Sequence, residues 1–169
     1  MRKTGIFVVL LLLLVGINLS IWRTEQVLAD GREVILQLAP KDPRSLMQGD
    51  YMALNFAMGN EIMALLRKQQ KKPANGRVIV EIDPHGVARL VALDDGRALT
   101  ESQLQLQYRY REQRIRFATN AFFFQEGTGE RYASARYGLF RVSEDGQPYL
   151  TDLLDENLGR IGTTRLLEH

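Results

Sequence analysis

The sequence predicts an α+β fold that is predominantly antiparallel β, a small barrel or sandwich with one or two short helices, preceded by a single N-terminal transmembrane helix. Three observations support this class. An uncharged apolar run near the N-terminus is close in length to the ~20 residues that a membrane-spanning helix needs. Short β-rich segments then follow one another, separated by Gly, Pro and Asp turns. No internal repeat or low-complexity linker interrupts them, so we expect an anchor over residues 1–29 and one exported domain over 30–169.

The apolar run covers residues 5–22 and is expected to hold the chain in a membrane. Arg2-Lys3 precedes the run and Trp22 suits the interfacial belt, so the N-terminus is expected in the cytoplasm. This predicts a single-pass protein of the inner membrane with a periplasmic C-terminal domain. A signal peptide cleaved after Ala29 is the alternative, because Val27-Leu28-Ala29 satisfies the small-residue rule.

Composition narrows the function classes. The chain has 169 residues, no cysteine and two histidines, so disulfides and zinc-thiolate sites are excluded. His85 falls in the turn Asp83-Pro84-His85-Gly86 and is expected to be solvent-exposed rather than a ligand or base. Beyond Lys3 the charges balance at 20 basic and 20 acidic residues, which argues against a nucleic-acid-binding surface. We therefore predict no metal, no cofactor and no nucleic-acid partner.

The anchor helix is expected to end at Asp30-Gly31, where glycine suits a C-cap. Three elements are predicted after it: a strand over Glu33–Leu38, a strand over Asp50–Met58 and a helix from Asn60 to Gln70. A loop stiffened by Pro40 and Pro43 joins the two strands. The second strand alternates between two faces until Gly59-Asn60, where asparagine is expected to cap the helix.

The rest of the chain is predicted to consist mainly of hairpins. Their strands are Arg77–Ile82 with Val87–Leu93, Gln103–Arg111 with Arg114–Phe117, and Tyr137–Ser143 with Gln147–Leu153. A strand over Thr119–Gln125 and a short helix over Glu130–Arg136 are expected between the last two hairpins. The tail, Asp155–His169, is only weakly patterned, so no element is predicted there.

The hairpin around Glu112-Gln113 carries an electrostatic anomaly. A tight turn there places Arg109 opposite Arg116 and Arg111 opposite Arg114, and like charges across a strand pair are unfavourable. Three things could compensate these charges: solvation by water, acids on an adjacent strand, or an anionic ligand or partner. The face of Arg109, Arg111, Arg114 and Arg116 is therefore a candidate anion-binding site.

Two blocks of sequence resemble a known family. The first combines Asp42-Pro43-Arg44 with Gly49-Asp50-Tyr51 and Leu54, and the second combines Phe124-Gln125-Glu126-Gly127 with Tyr137-Gly138-Leu139-Phe140-Arg141-Val142. Together they are similar to the GDYXXLXY family of membrane-anchored envelope proteins. Phe56 stands where the family motif ends in tyrosine. Since the family is functionally uncharacterised, the resemblance implies topology and fold rather than chemistry.

The polar residues that match the family form a candidate structural or interaction patch: Asp42, Arg44, Asp50, Tyr51, Glu126, Tyr137 and Arg141. One of the two arginines is expected to pair with Asp50 or Glu126 in a bidentate bridge that locks the proline-containing loop onto the domain. A ligand site over the same residues is the alternative.

No catalytic set is evident in the sequence, and the function predicted is a non-enzymatic interaction or assembly module next to other membrane proteins. A serine hydrolase using Ser45 is one alternative, although no lysine follows Lys72 that could serve as its base. A binder of small anions at the Arg109–Arg116 face is the other.

Overall fold

The computed structural model describes residues 2–40, 47–48, 51–118, 121–123 and 129–163. The chain divides into two compact units, Met1–Gly31 and Arg32–His169. The first consists of helix α1 (Arg2–Asp30), which ends where the sequence predicts. Its stretch Val9–Asp30 is long and apolar enough to cross a membrane, and none of it is buried; a signal sequence would meet the same criteria.

The second unit is built mainly from short strands. Its described elements are β1 (Arg32–Gln37), β2 (Met47–Gln48), β3 (Tyr51–Ala53), α2 (Ala57–Lys68), β4 (Gly76–Ile82), β5 (Ala88–Leu93), β6 (Gln103–Arg111), β7 (Arg114–Arg116), β8 (Ala121–Phe123), α3 (Gly129–Tyr132), β9 (Tyr137–Val142), β10 (Pro148–Leu154) and β11 (Arg160–Thr163). They form antiparallel sheets with the strand orders β1-β9-β10-β11, β5-β4-β6-β7 and β2-β3-β8. The predicted fold class is confirmed.

The two four-stranded sheets curl around a common core, each like half of a barrel. Backbone hydrogen bonds link them. The Ile35 N–H of β1 donates to the Gly86 carbonyl at 2.9 Å, and the Gln107 N–H of β6 donates to the Gly146 carbonyl at 2.8 Å. Gly146 has a φ of +85°, and a Cβ there would lie 2.7 Å from the Gln105 carbonyl oxygen. The β9–β10 turn therefore needs glycine at this contact.

Helix α2 packs against β1, β5 and β7. Met58, Ile62 and Leu66 are buried at four-residue spacing, which gives the helix one apolar face toward the core. Gly59 is buried as well, and a Cβ on it would lie 3.4 Å from the Ile115 carbonyl oxygen of β7. This is an ordinary van der Waals distance, so α2 lies in contact with β7 here and a Cβ would also fit.

The predicted boundary between the second strand and the helix is wrong. Strand β3 ends at Ala53, and α2 begins at Ala57 instead of after Asn60. Phe56 is the N-cap residue, without a side-chain cap. The helix runs through Gly59 because burial of Met58 on the apolar face of α2 outweighs the weak helix propensity of glycine.

The three predicted hairpins are confirmed, with each strand end within one residue of its predicted position. The short helix expected over Glu130–Arg136 is present as α3 but is displaced and shorter. Strand β11 was not predicted, because its sequence lacks alternation and its pairing with β10 depends on the rest of the sheet.

Candidate functional site

The two family-like sequence blocks meet in the core at Phe56. Its ring packs edge-on against Phe140, with the centroids 5.3 Å apart, and against Phe117 at 6.0 Å. Gly138 makes room for the ring, because a Cβ at this position would lie 3.0 Å from Phe56. Phe56 is only 6% exposed. The final position of the first block therefore holds the fold together by packing against the second block.

The predicted polar patch is described only in part. Asp42, Arg44, Asp50 and Glu126 lie outside the described residues, as does the alternative nucleophile Ser45. Tyr51 lies in β3 opposite Phe123 of β8. Tyr137 and Arg141 share one face of β9. The bridge from an arginine to Asp50 or Glu126 stays a prediction.

The structure places Glu33 beside Arg141. The two residues lie opposite each other on β1 and β9, with Arg141 Nη2 2.8 Å from Glu33 Oε1. Arg160 of β11 lies 3.7 Å from the same carboxylate oxygen and 3.6 Å from Asp152 Oδ2 on β10. These four residues, called here the ion-pair network, join all four strands of the sheet and carry no net formal charge.

Asp152 is the most buried member of this network, at 2% exposed. Across the described part of the chain, its Oδ1 accepts no hydrogen bond. A carboxylate in such a place is costly unless a cation faces it, so Arg160 acts as its structural partner. Asp152 is not among the residues that the sequence predicts to be functional. The available signal was a single acid inside the largely apolar strand β10.

The predicted pairing of arginines across β6 and β7 is confirmed. Arg109 lies opposite Arg116, and Arg111 lies opposite Arg114. Arg116 Nη2 lies 2.8 Å from Glu112 Oε2. Among the residues that the structure describes, no acid lies within ion-pair distance of Arg109 or Arg114. This hairpin therefore presents more positive charge than its own acid neutralises.

The opposite face of the same hairpin belongs to the core. Burial raises the pKa of Tyr108. A Cβ on Gly76 would lie 2.8 Å from the Tyr108 hydroxyl oxygen, so glycine in the paired strand gives the ring its space. Tyr108 thus has a packing role behind the arginines.

A cleft of about 520 Å³ lies near the isolated bridge between Ile35 of β1 and Val87, the residue before β5. Its walls come from β1, β9, the start of α2 and the β4–β5 hairpin: Gln37, Tyr137, Ala57, Met58, Glu61, Asp83, Val87, Ala88, Arg89 and Leu90. Arg89 lies 3.6 Å from Asp83, and with Glu61 the charged side chains of the lining sum to one negative charge. Over the described residues, no group of three or more His, Asp or Glu is placed to hold a metal ion.

Asp83 organises the turn beside this cleft. Its Oδ1 accepts hydrogen bonds from the N–H groups of Val87 at 3.0 Å and His85 at 2.9 Å. The hydrogen bond from Val87 is the main cause that lowers the pKa of Asp83, assisted by the His85 N–H and the charge of Arg89, whereas partial burial opposes it. His85 is exposed at the turn, as predicted.

Comparison with known proteins identifies a family. The family model described as GDYXXLXY protein matches residues 13–153, which is most of the chain. The match includes most of the apolar helix and both sequence blocks. No curated protein and no solved structure matches the chain significantly. The chain belongs to the GDYXXLXY family.

Proposed function

We propose that this protein is a non-catalytic, single-pass envelope protein whose exported domain is an interaction or assembly module for another membrane protein. Residues 5–22 hold it in the inner membrane, with the N-terminus in the cytoplasm and the β-rich domain in the periplasm. The uncovered apolar surface of α1 is the observation that carries this proposal.

From Val9 to Trp22, the large apolar side chains of α1 are each 45% to 66% exposed. Leaving apolar surface in water costs about 25 cal/mol per Å², and lipid would cover this surface without another protein element. The polar Asn18 side chain donates to the Leu14 carbonyl at 2.9 Å, which suits a helix surrounded by lipid. The cationic Arg2-Lys3 pair supports a cytoplasmic N-terminus.

The anchor is tested with the intact chain expressed in a Gram-negative host. Protease added to spheroplasts should digest the chain beyond Trp22, while a cytoplasmic marker protein survives. Mass spectrometry of the purified protein should find the N-terminal segment still attached. A mature chain that begins at Asp30 would show a cleaved signal peptide and would overturn the anchor.

A charged substitution in the apolar run gives a second test of the membrane anchor. Leu13→Arg should weaken retention in the membrane, because an arginine at the centre of a spanning helix costs about 2.5–3.5 kcal/mol. Val91→Arg is the matched control, since Val91 is a large apolar residue of the β domain that is 41% exposed. Equal membrane retention of the two variants would count against insertion of α1.

The interaction role is tested by co-purification from solubilised native membranes. The chain should bring down a membrane protein in a fixed ratio, and Ser45→Ala should leave this capture unchanged. Labelling of Ser45 by a fluorophosphonate probe, abolished in the Ser45→Ala variant, would favour the hydrolase instead.

The Arg109–Arg116 face supports a second candidate, the binding of small anions. The observation in its favour is that Arg109 and Arg114 have no acid within ion-pair distance among the described residues. Phosphate or citrate should then raise the melting temperature of the intact chain, and the Arg109→Gln/Arg116→Gln variant should lose this response. An equal response from the double variant would exclude the face as the site.

A further inference from the structure

We infer that one side of the β domain is a docking surface for the anionic lipid headgroups of the membrane that α1 enters. Two segments form this side, residues 67–77 and residues 109–116, and together they are called here the basic surface. The inference rests on the proposed anchoring, because α1 supplies the membrane. It adds a role for the β domain itself, which is to bind anionic headgroups in preference to neutral ones.

The charge distribution is strongly asymmetric. The two segments hold nine basic residues and one acid, Glu112. The rest of the chain beyond Lys3 holds 11 basic and 19 acidic residues. A chain that is nearly neutral as a whole therefore carries a positive region and a larger negative remainder. Such a separation of charge attracts and orients the domain near an anionic surface.

The two segments are neighbours in the fold. Asn75 Oδ1 accepts hydrogen bonds from the Tyr110 N–H at 2.9 Å and from Arg111 Nη1 at 3.2 Å. Lys71 and Lys72 lie at most four residues before Asn75, so the chain keeps their Cα atoms within about 14 Å of it. Helix α2, which ends at Lys68, also packs against β7, so the two segments are neighbours at both places.

Little within the described structure neutralises this region. Glu112 pairs with Arg116, and eight of the nine basic residues are exposed, Arg116 being the exception. Arg67 and Lys68 lie in the last turn of α2, where the helix dipole offers a partial negative charge. That partial charge is smaller than either full positive charge, so the region keeps a net positive charge.

A layer of headgroups fits this region better than one small anion does. The basic side chains spread along two segments instead of converging on one pocket, and each lysine or arginine near an anionic surface contributes about a fivefold gain in binding. Gly31 alone separates α1 from β1 in the sequence, so insertion of α1 tethers the domain to the membrane and raises the effective concentration of headgroups around it.

The inference is tested with the intact chain reconstituted into vesicles. Since the chain has no cysteine, Ala74→Cys places a single fluorescent label within the basic surface, and His85→Cys places one on the β4–β5 turn as a control. Nitroxide-headgroup lipids report proximity by quenching. The label at position 74 should be quenched more when phosphatidylglycerol replaces a third of the phosphatidylcholine, whereas the label at position 85 should change little.

Charge removal supplies the matched comparison. Arg109→Gln/Arg114→Gln should lower the ratio of docked to undocked domain about fivefold for each arginine removed. The control Arg89→Gln/Arg97→Gln removes two exposed arginines outside the basic surface and should leave the ratio unchanged. In about 1 M NaCl the quenching difference should vanish, because the Debye length falls to about 3 Å.

Three results would overturn the inference: quenching independent of lipid charge, an equal effect of the control pair, or full competition by millimolar inorganic phosphate, which would indicate a small-anion site. Failure of the anchor is distinguishable from each of these. It would show as a chain that does not float with neutral phosphatidylcholine vesicles, a measurement in which the basic surface has no part.

Discussion

In the β1-β9-β10-β11 sheet, Arg141 and Arg160 meet the carboxylates of Glu33 and Asp152. On the β6–β7 hairpin, by contrast, four arginines face each other in two pairs. Glu112 lies within ion-pair distance of one of them, Arg116. Strand register decides the difference, because it brings an acid opposite arginine in the sheet and arginine opposite arginine in the hairpin. In the sheet, ion pairs within the fold neutralise the arginines. In the hairpin, a net positive charge remains that a ligand or a membrane could bind.

The largest expected effect comes from breaking the ion-pair network at Arg160. Arg160→Gln would leave Asp152 buried with a charge and no facing cation. Loss of a buried partner costs about 3–5 kcal/mol, and because the Arg160 side chain is 61% exposed we expect the lower value of about 2–3 kcal/mol. Urea unfolding of the intact chain in neutral detergent, followed by circular dichroism, measures this loss.

Two controls separate burial from simple charge loss. Asp152→Asn added to Arg160→Gln should restore much of the stability, because the uncompensated charge is then gone. Arg89→Gln breaks a contact of the same 3.6 Å length, but the side chain of its acid, Asp83, is 21% exposed, whereas the side chain of Asp152 is 3% exposed. If Arg89→Gln costs as much as Arg160→Gln, burial of Asp152 is not what makes the network structural.

A partly buried acid, Asp83, also contributes to stability, and acid titration reveals its contribution. Folding lowers the pKa of Asp83 below its ordinary value of 3.8, mainly through the hydrogen bond from the Val87 N–H. The stabilisation is therefore present above that ordinary value and is lost as the pH falls through the lower, folded-state pKa. Thermal unfolding should show a higher melting temperature for the native chain than for Asp83→Asn above pH 3.8, and this difference should shrink as the pH falls below that value. A constant difference between the two across this pH range would contradict the assignment.

The arginine hairpin could be predicted from the sequence because its geometry is local. Alternation along Gln103–Arg111 and the tight turn at Glu112-Gln113 fix which residues lie opposite each other. The start of α2 was misplaced for the opposite reason. Gly59-Asn60 looks like a boundary locally, but packing of α2 against β7 decides the conformation there.

The ion-pair network could not be predicted, since it depends on contacts between strands far apart in sequence. Glu33 meets Arg141 only because β1 pairs with β9, and Asp152 meets Arg160 through the unpredicted strand β11. The basic surface could not be predicted either, for a different reason. The balance of charges along the whole chain suggests neutrality, whereas the contacts of Asn75 with Tyr110 and Arg111 join the two basic segments in the fold.

The smallest expected effect has the opposite sign from the first. Arg114→Gln removes one of two like charges that face each other across β6 and β7, so we expect the free energy of unfolding to rise by about 0.2–0.5 kcal/mol at low salt. The gain should disappear in about 1 M NaCl. Arg97→Gln, which removes an arginine 3.8 Å from Asp95, should give no such gain.

Arg114→Gln distinguishes a surface kept for binding from one kept for stability. A variant that is slightly more stable yet docks less well on anionic vesicles would mean that Arg114 lowers the stability of the domain and serves contacts outside it. If Arg114→Gln instead destabilises the chain at low salt, Arg114 has a stabilising contact within the fold. The hairpin would then resemble the ion-pair network, and the contrast between the two faces would fail.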